Sequence, residues 1–266
     1  MLTRQHRRWT RIICPVGIVV AMATSAVCST TVLAQGVPVD TTSTTVPVDT
    51  TGTTTTTTTT VPQVSTTVVK PKPKVLKGKD VKVVYKVKTT DPVVFITIDD
   101  GSTVTPSLAK YLDRNKIPVT TFAVSVMLWK HREWFRDRKY MTFENHTWNH
   151  AHMTLVSAAQ RKHEVCGASQ VARNVAKESP MYFRPPGGSF NSKVINTVAK
   201  CGMKYLVMWN VEADGGVVRM AGRGKLGPGD IILMHYLPSL ERSLVHLMEQ
   251  IKRNGLKPAL LRDYLT

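Results

Sequence analysis

The chain has 266 residues, of which 42% are hydrophobic and 20% are charged, and its formal net charge is +18. This balance is typical of a globular protein of one or two domains, and it excludes a collagen, an intermediate filament or a wholly disordered chain. Four cysteines in this length also exclude a small scaffold held together by many disulfides.

Residues 1–34 have the features of an export signal. The first eleven residues hold four arginines and no acid, an apolar stretch follows to about residue 27, and Val32 and Ala34 stand where a signal peptidase reads small residues. We therefore expect a secreted protein, extracellular or associated with a cell wall. The alternative is an uncleaved membrane anchor, since about 20 apolar residues span a bilayer.

Cleavage after residue 34 would remove those four arginines, which lowers the formal charge from +18 to +14, together with Cys14 and Cys28. Cys166 and Cys201 would remain in an oxidising compartment. An even pair of cysteines in such a compartment favours one disulfide, and two separate buried thiols are the alternative.

Residues 35–68 form a threonine-rich segment in which VPVDTTSTT, from Val37, is followed by VPVDTTGTT, from Val46. The segment has too little apolar mass to offset the entropy of ordering it, so we expect a disordered linker. Threonine and serine with interspersed proline are typical of glycosylated stalks. The segment is interpreted as a spacer that carries a folded domain.

Residues 69–90 form a basic segment with eight lysines and a single acid, Asp80. From Val81 apolar residues and lysines alternate, which predicts an edge strand protected by its lysines. The charge favours an anionic matrix such as wall polymers or lipid headgroups. The alternative is a merely solvated leader, and nucleic acid is not expected as a partner because export removes the chain from it.

Residues 91–266 alternate between strand-like and helix-like segments. Apolar and β-branched runs predict strands over 93–98, 119–124, 140–143, 205–209 and 231–234. Apolar spacing and capping residues predict helices over 106–115, 157–177, 192–200 and 240–253. Strands separated by helices indicate parallel βα units, and hence an α/β layer fold or barrel. In such folds the catalytic residues gather at the carboxyl ends of strands.

Four short motifs stand at or near the predicted strand ends. Residues 97–101 read TIDDG, so two acids end a strand and a glycine turns the chain; one acid can bind a metal while the other acts as a base. Residues 146–150 read HTWNH, and two imidazoles four apart on one helical turn can hold one cation. His152 is close enough to compete as a ligand, but we interpret it as a surface or supporting histidine.

The other two motifs are FRPPGG at residues 183–188 and LMH at residues 233–235. The prolines stiffen the first loop, its glycines allow close backbone approach to a ligand, and Arg184 is a permanent cation that can orient a carboxylate. His235 ends an apolar strand. A buried structural histidine is the ordinary explanation, and its position favours proton transfer.

Together these motifs resemble those of the polysaccharide deacetylase family, the NodB-homology enzymes of carbohydrate esterase family 4, across essentially all of residues 91–266. The resemblance implies a distorted (β/α) barrel of seven strands and one divalent metal ion. Zn²⁺ is expected, with Co²⁺ or another divalent ion as the alternative. It also implies a hydrolase that removes N-acetyl groups from a polysaccharide, most simply N-acetylglucosamine in peptidoglycan; chitin and acetylated xylan are alternative substrates.

Carried over residue by residue, the resemblance assigns the metal ligands to Asp100, His146 and His150. It makes Asp99 the general base, oriented by Arg184, and His235 the general acid. Leu233 would line the pocket for the acetyl methyl group, and a backbone N–H near Gly187 would hold the oxyanion. Trp148 and Trp209 are the two candidates for stacking on a sugar face, with Trp148 preferred because buried packing is the favoured role of Trp209.

The sequence departs from the family pattern after the strand that ends near residue 209. The family usually has D-x-x-D-W there, whereas residues 209–216 read WNVEADGG. We predict that Asp214 or Glu212 pairs with Arg184, without a choice between them. The altered motif is also the one observation in favour of a non-catalytic wall- or glycan-binding protein on the same fold.

Overall fold

The computed structural model describes residues 76–220 and 224–266. The predicted signal segment over 1–34, the linker over 35–68 and the first residues of the basic segment lie outside this part of the chain, and their interpretation stays a prediction. Within the described ranges, no helix combines the length and the apolar character that crossing a bilayer requires.

One curled sheet of ten strands organises the fold, and the strand order is β1-β6-β5-β4-β3-β2-β9-β7-β8, with β10 paired to β2. All neighbours are parallel except the β7–β8 hairpin. The strands are β1 (Lys82–Val84), β2 (Val93–Asp100), β3 (Val119–Ala123), β4 (Met141–Asn145), β5 (Tyr182–Phe183), β6 (Tyr205–Val207), β7 (Val211–Asp214), β8 (Val217–Met220), β9 (Ile231–His235) and β10 (Lys257–Pro258).

Helices cover the outside of the sheet because the central strands are apolar on both faces, as β2 shows with a run of fully buried residues. The helices are α1 (Pro106–Asn115), α2 (Ser125–Lys130), α3 (Arg132–Phe135), α4 (Ala158–Lys162), α5 (Ala168–Ala176), α6 (Ser192–Lys200) and α7 (Leu240–Arg253). The structure confirms the predicted bounds of α1, α6 and α7. It adds α2 and α3, which the sequence analysis missed.

The predicted helix over 157–177 is interrupted. Ser157 caps it as expected, but a π-helical turn over His163–Gly167 separates α4 from α5. A disulfide joins Cys166 in this turn to Cys201, which follows α6. The disulfide therefore fixes the position of the π-helical turn relative to the end of α6.

The sheet curls far enough for its two sides to meet. After β1, Lys86 forms an antiparallel bridge with Asp230, and the Val87 N–H donates to the Gly229 carbonyl oxygen at 2.9 Å. Eight strands, from β1 through β2 to β7, form an unbroken parallel series, and without the edge strand β1 seven remain. These observations confirm the predicted α/β fold with a distorted barrel, to which β1, β8 and β10 are additions.

Part of the basic segment belongs to this folded unit. The strand expected from Val81 is present as β1, which lies at the end of the strand order beside β6. Val81 and Val87 are buried in the core. The folded unit therefore begins before residue 91, and Lys82 of β1 lies along its edge.

Candidate active site

The carboxyl ends of β2, β4, β5 and β9 meet at one edge of the sheet, and each carries polar side chains. Asp99 and Asp100 end β2, His146 follows β4, Arg184 follows β5 and His235 ends β9. The parallel register pairs Asp99 with His235 directly. The four predicted motifs thus converge because parallel strands place their ends together.

Asp100, His146 and His150 form a cluster suited to a metal ion, with one ligand atom of each within 4.8 Å of the others. The Asp100 Oδ1 atom lies 3.5 Å from His146 Nε2 and 3.4 Å from His150 Nε2. This oxygen is buried and has no hydrogen-bond partner within the described ranges. Two imidazoles and an unsatisfied carboxylate oxygen fit a divalent cation such as zinc.

The charge states of these groups also fit. Burial and the nearby His146 lower the pKa of His150, which favours the neutral imidazole that a metal needs. Burial alone would raise the pKa of Asp100, but the two histidines outweigh it, and the pKa is lowered. The His146 Nδ1–H donates to the Arg184 carbonyl oxygen at 2.8 Å, which leaves Nε2 free as a ligand atom.

The segment that carries both histidines is an irregular loop, and the predicted helical turn is wrong. Thr147 and His150 have positive φ angles of 72° and 67°. The Asn145 side-chain oxygen accepts the Thr147 N–H, and the Thr147 hydroxyl accepts the His150 N–H, both at 2.9 Å. These side-chain bonds turn the chain directly after β4, and the two rings still lie 5.1 Å apart.

A buried carboxylate that the sequence analysis missed supports this loop. Glu164, in the π-helical turn, accepts the backbone N–H groups of Trp148 at 2.9 Å and Asn149 at 3.0 Å. With its amide oriented to donate, Asn149 adds a bond to Glu164 at 2.7 Å. A π turn is often found at functional sites, but the sequence carries no signal for it.

Asp99 is paired with Arg184, whose side chain is wholly buried inside the curled sheet. Arg184 donates to Asp99 at 2.7 Å and to the Thr97 hydroxyl at 2.8 Å. Its other N–H groups donate to the carbonyl oxygens of Val207 and Met208. Burial lowers the pKa of Arg184, and the ion pair with Asp99 opposes this shift.

The predicted pairing of Arg184 with Asp214 or Glu212 is wrong. Asp214 instead accepts the Nδ1–H of His235 at 2.7 Å and its backbone N–H at 3.0 Å. Glu212 accepts the indole N–H of Trp209 at 3.0 Å. The reason is the register of β7 beside β9, which pairs Glu212 with Leu233 and brings Asp214 level with His235.

The hydrogen bond from His235 to Asp214 raises the pKa of the imidazole, although burial opposes the shift. A histidine with a raised pKa keeps its proton nearer neutral pH, as a general acid requires. The same bond fixes the ring, so that Nε2 is the atom left to donate. His235 and Asp99 therefore line the same cleft as the candidate metal ligands, in two distinct environments.

A cleft of about 310 Å³ opens onto these groups, and Gly187 and Leu233 line it as predicted. Trp148 does not line it: its ring packs on His163 at 4.7 Å, whereas Trp209 forms part of the cleft wall. His152 is outside the metal cluster. The cleft is lined by Asp99, Asp100, His146, His150, Pro185, Gly187, Trp209, Glu212, Asp214, Leu233 and His235.

A candidate metal site between a buried carboxylate and an oriented imidazole is an arrangement that suits a metal-dependent hydrolase. A family model described as polysaccharide deacetylase matches residues 86–206. An uncharacterized protein of Streptomyces coelicolor is 30% identical over 191 residues, which cover 69% of this chain and 77% of that protein. The chain belongs to the polysaccharide deacetylase family, hydrolases of carbon–nitrogen bonds other than peptide bonds that typically depend on a metal.

Two further similarities, among others, bear on the function. A peptidoglycan-N-acetylglucosamine deacetylase of Bacillus cereus is 26% identical over 165 residues, which cover 58% of this chain and 76% of that protein. The solved structure of a wild-type pseudoenzyme of carbohydrate esterase family 4 from Bacillus anthracis has a TM-score of 0.58 and 19% identity, and covers 69% of each chain. This last likeness shows the fold alone, so activity has to be argued from the residues of the site.

Proposed function

We propose that this chain removes the N-acetyl group from N-acetylglucosamine units of peptidoglycan, using Zn²⁺ bound by Asp100, His146 and His150. The substrate is supported by the similarity to the Bacillus cereus enzyme and by the excess of positive charge on the chain, which suits an anionic wall. The choice of zinc is supported by the two imidazoles and one carboxylate of the cluster. Co²⁺ is the alternative ion.

The chemistry required is attack of water on an amide, which is a poor electrophile with a poor leaving group. Asp100, His146 and His150 would hold a divalent ion, which would supply Lewis acidity to polarise the amide and activate a water molecule. Asp99 takes a proton from that water while Arg184 stabilises the carboxylate. His235 gives its proton to the nitrogen as the carbon–nitrogen bond breaks, which releases acetate and a free amine.

Two cleft residues fit the rest of the substrate. The backbone at Gly187 lines the cleft and has no atom near the position where a Cβ would lie, so a ligand can approach it closely. Its N–H is the proposed donor to the developing oxyanion. Leu233 is buried at the cleft wall and supplies an apolar surface for the acetyl methyl group.

The observation that carries this function is the pair of distinct environments on either side of the metal cluster. Asp99 is held by Arg184 at 2.7 Å and His235 by Asp214 at 2.7 Å. A binding protein has no need of a buried cation behind one acid or of a raised imidazole pKa. The geometry therefore favours the enzyme over the non-catalytic alternative.

The cellular setting is part of the same proposal. Residues 1–34 would direct export or anchor the chain, residues 35–68 would act as a spacer, and the lysines of residues 69–90 would bind anionic wall polymers. In the described part of this basic segment the lysines lie on or near an edge strand, where an extended polymer can reach them.

The test is release of acetate, followed by mass spectrometry, from fragments of peptidoglycan, chitin and acetylated xylan. We expect release from peptidoglycan by the zinc-loaded full chain, loss on chelation, recovery on adding Zn²⁺, and no release by His146→Ala. Equal release by the chelated protein would contradict the mechanism. Binding of the glycan without turnover by the loaded protein would instead support the non-catalytic alternative.

A further inference from the structure

A second cavity of about 320 Å³ lies beside the catalytic cleft. Its walls are Trp209, Asn210, Glu212, Arg219 and Met220. Two of these residues, Trp209 and Glu212, also line the catalytic cleft. The two cavities are therefore neighbours separated by one aromatic ring and one carboxylate, an arrangement that suits two consecutive units of a polymer.

The walls of this second cavity are fixed before any ligand binds. The indole N–H of Trp209 donates to Glu212 at 3.0 Å, which sets the orientation of the ring. The Asn210 side chain donates to Asp230 and accepts the Ile231 N–H, both at 2.9 Å. A preformed pocket loses little entropy on binding, which is what a subsite for a flexible glycan requires.

Arg219 is the residue that gives the cavity its chemistry. The β7–β8 register places Arg219 directly opposite Glu212, so both side chains are on the same face of the hairpin. Arg219 is exposed, and among the described residues its guanidinium forms no hydrogen bond or ion pair, in contrast to the paired Arg138, Arg184 and Arg262. A free guanidinium beside an aromatic ring is suited to a carboxylate carried on a sugar.

We propose that this cavity binds the sugar next to the reacting one, and that Arg219 recognises a carboxylate on that sugar while Trp209 packs against its ring. The inference rests on the proposed function and makes it specific. In peptidoglycan strands that carry no peptide, N-acetylglucosamine alternates with a sugar that bears a free lactyl carboxylate, whereas every unit of chitin is uncharged. Arg219 would therefore make the choice between these two polymers.

The test uses the zinc-loaded full chain and three tetrasaccharides: an alternating peptidoglycan glycan without peptide, the same glycan with its carboxylates methyl-esterified, and chitotetraose. We expect the wild type to have a KM at least about tenfold lower for the free acid than for the ester, as one charge-assisted bond allows. Arg219→Ala should abolish this preference with little change on chitotetraose, and Arg219→Lys should retain part of it.

Arg242→Ala is the matched control, because Arg242 is an exposed arginine on α7 that lines neither cavity. It should keep the wild-type preference. The inference is overturned if Arg219→Ala still prefers the free acid, or if it loses as much on chitotetraose. If the wild-type protein releases no acetate from either peptidoglycan glycan, the proposed function is wrong instead. In that case calorimetric binding of the free-acid and the esterified glycan to the wild type and to Arg219→Ala would still decide the role of Arg219.

Discussion

Three aspartates at the site have different partners. Asp99 is held by a buried guanidinium, Asp100 faces two imidazoles, and Asp214 accepts the hydrogen bond of the His235 Nδ1–H. The sequence motifs were sufficient to predict that the first two lie together. They were insufficient for Asp214, because the partner of an acid in a strand depends on the register with the next strand, which no local pattern specifies.

The contrast between Asp99 and Asp100 can be tested with two isosteric variants. Asp99→Asn should lower acetate release by about 10²–10⁴-fold, since the base is lost, while the affinity for Zn²⁺ is retained. Asp100→Asn should lower the affinity for Zn²⁺ at least about tenfold, because a ligand loses its charge. Isothermal calorimetry with Zn²⁺ alongside the activity assay separates the two. The assignment is wrong if both variants lose metal equally.

The hydrogen bond between His235 and Asp214 predicts a shift in the pH profile. The general acid must be protonated, so activity falls as the pH rises through the pKa of His235. Asp214 raises that pKa. Asp214→Asn should therefore move the falling limb of kcat/KM to lower pH, whereas Glu212→Gln, two residues earlier on the same strand, should leave it in place. An unmoved limb in Asp214→Asn would show that another group supplies the proton.

At the scale of elements, the bounds of α1 and α6 were predictable because their N-terminal caps are local, and the end of α7 was predictable from the Asn254-Gly255 pair that follows it. Thr105 and Asn191 accept N–H groups in the first turns of α1 and α6, and such bonds involve residues three apart. The π turn between α4 and α5 was not predictable. Gly167 in this turn lies against the Trp148 ring, and Glu164 against the Trp148 N–H. Contacts with a distant loop decide its geometry.

The support that this turn gives to the histidine loop leads to a prediction for Glu164. Glu164→Gln should weaken Zn²⁺ binding by about 10–100-fold, as loss of a group behind a metal ligand does. The amide keeps one acceptor oxygen, so the fold should survive, and Glu164→Asp should recover part of the affinity. Glu249→Gln, on the outer helix α7, is the control. Unchanged calorimetric affinity in Glu164→Gln would remove this role.

At the scale of the molecule, the alternation of strands and helices predicted the α/β barrel correctly. The way in which the sheet closes was not predictable, because the segment after β1 meets the start of β9 across more than 140 positions of sequence. The sequence analysis predicted an edge strand from Val81 but began the folded domain at residue 91, yet Val81 and Val87 are core residues. Long-range pairing of this kind leaves almost no trace in a local pattern.

The closure is sensitive to a single methyl group at Gly229. Its φ is +81°, and a Cβ there would collide with the Val87 carbonyl oxygen. Gly229→Ala should cost about 1–3 kcal/mol for the backbone and about as much for the clash. Gly255→Ala has a similar φ but open space around the Cβ, so it should cost only about 1–2 kcal/mol. Denaturant titration of both variants gives the comparison, and equal losses would contradict a tight closure.

The burial of Arg184 has a consequence for how such a protein can diverge over generations. The guanidinium of Arg184 is shielded from solvent, so water cannot replace Asp99 as its partner. An uncompensated buried charge lowers the free energy of unfolding by about 3–5 kcal/mol. A protein that loses Asp99 during evolution would therefore lose stability unless Arg184 were replaced as well. Asp99 and Arg184 are therefore expected to change together during evolution. A substitution of Asp99 alone is not neutral for stability, so it is an unfavourable first step toward an inactive relative.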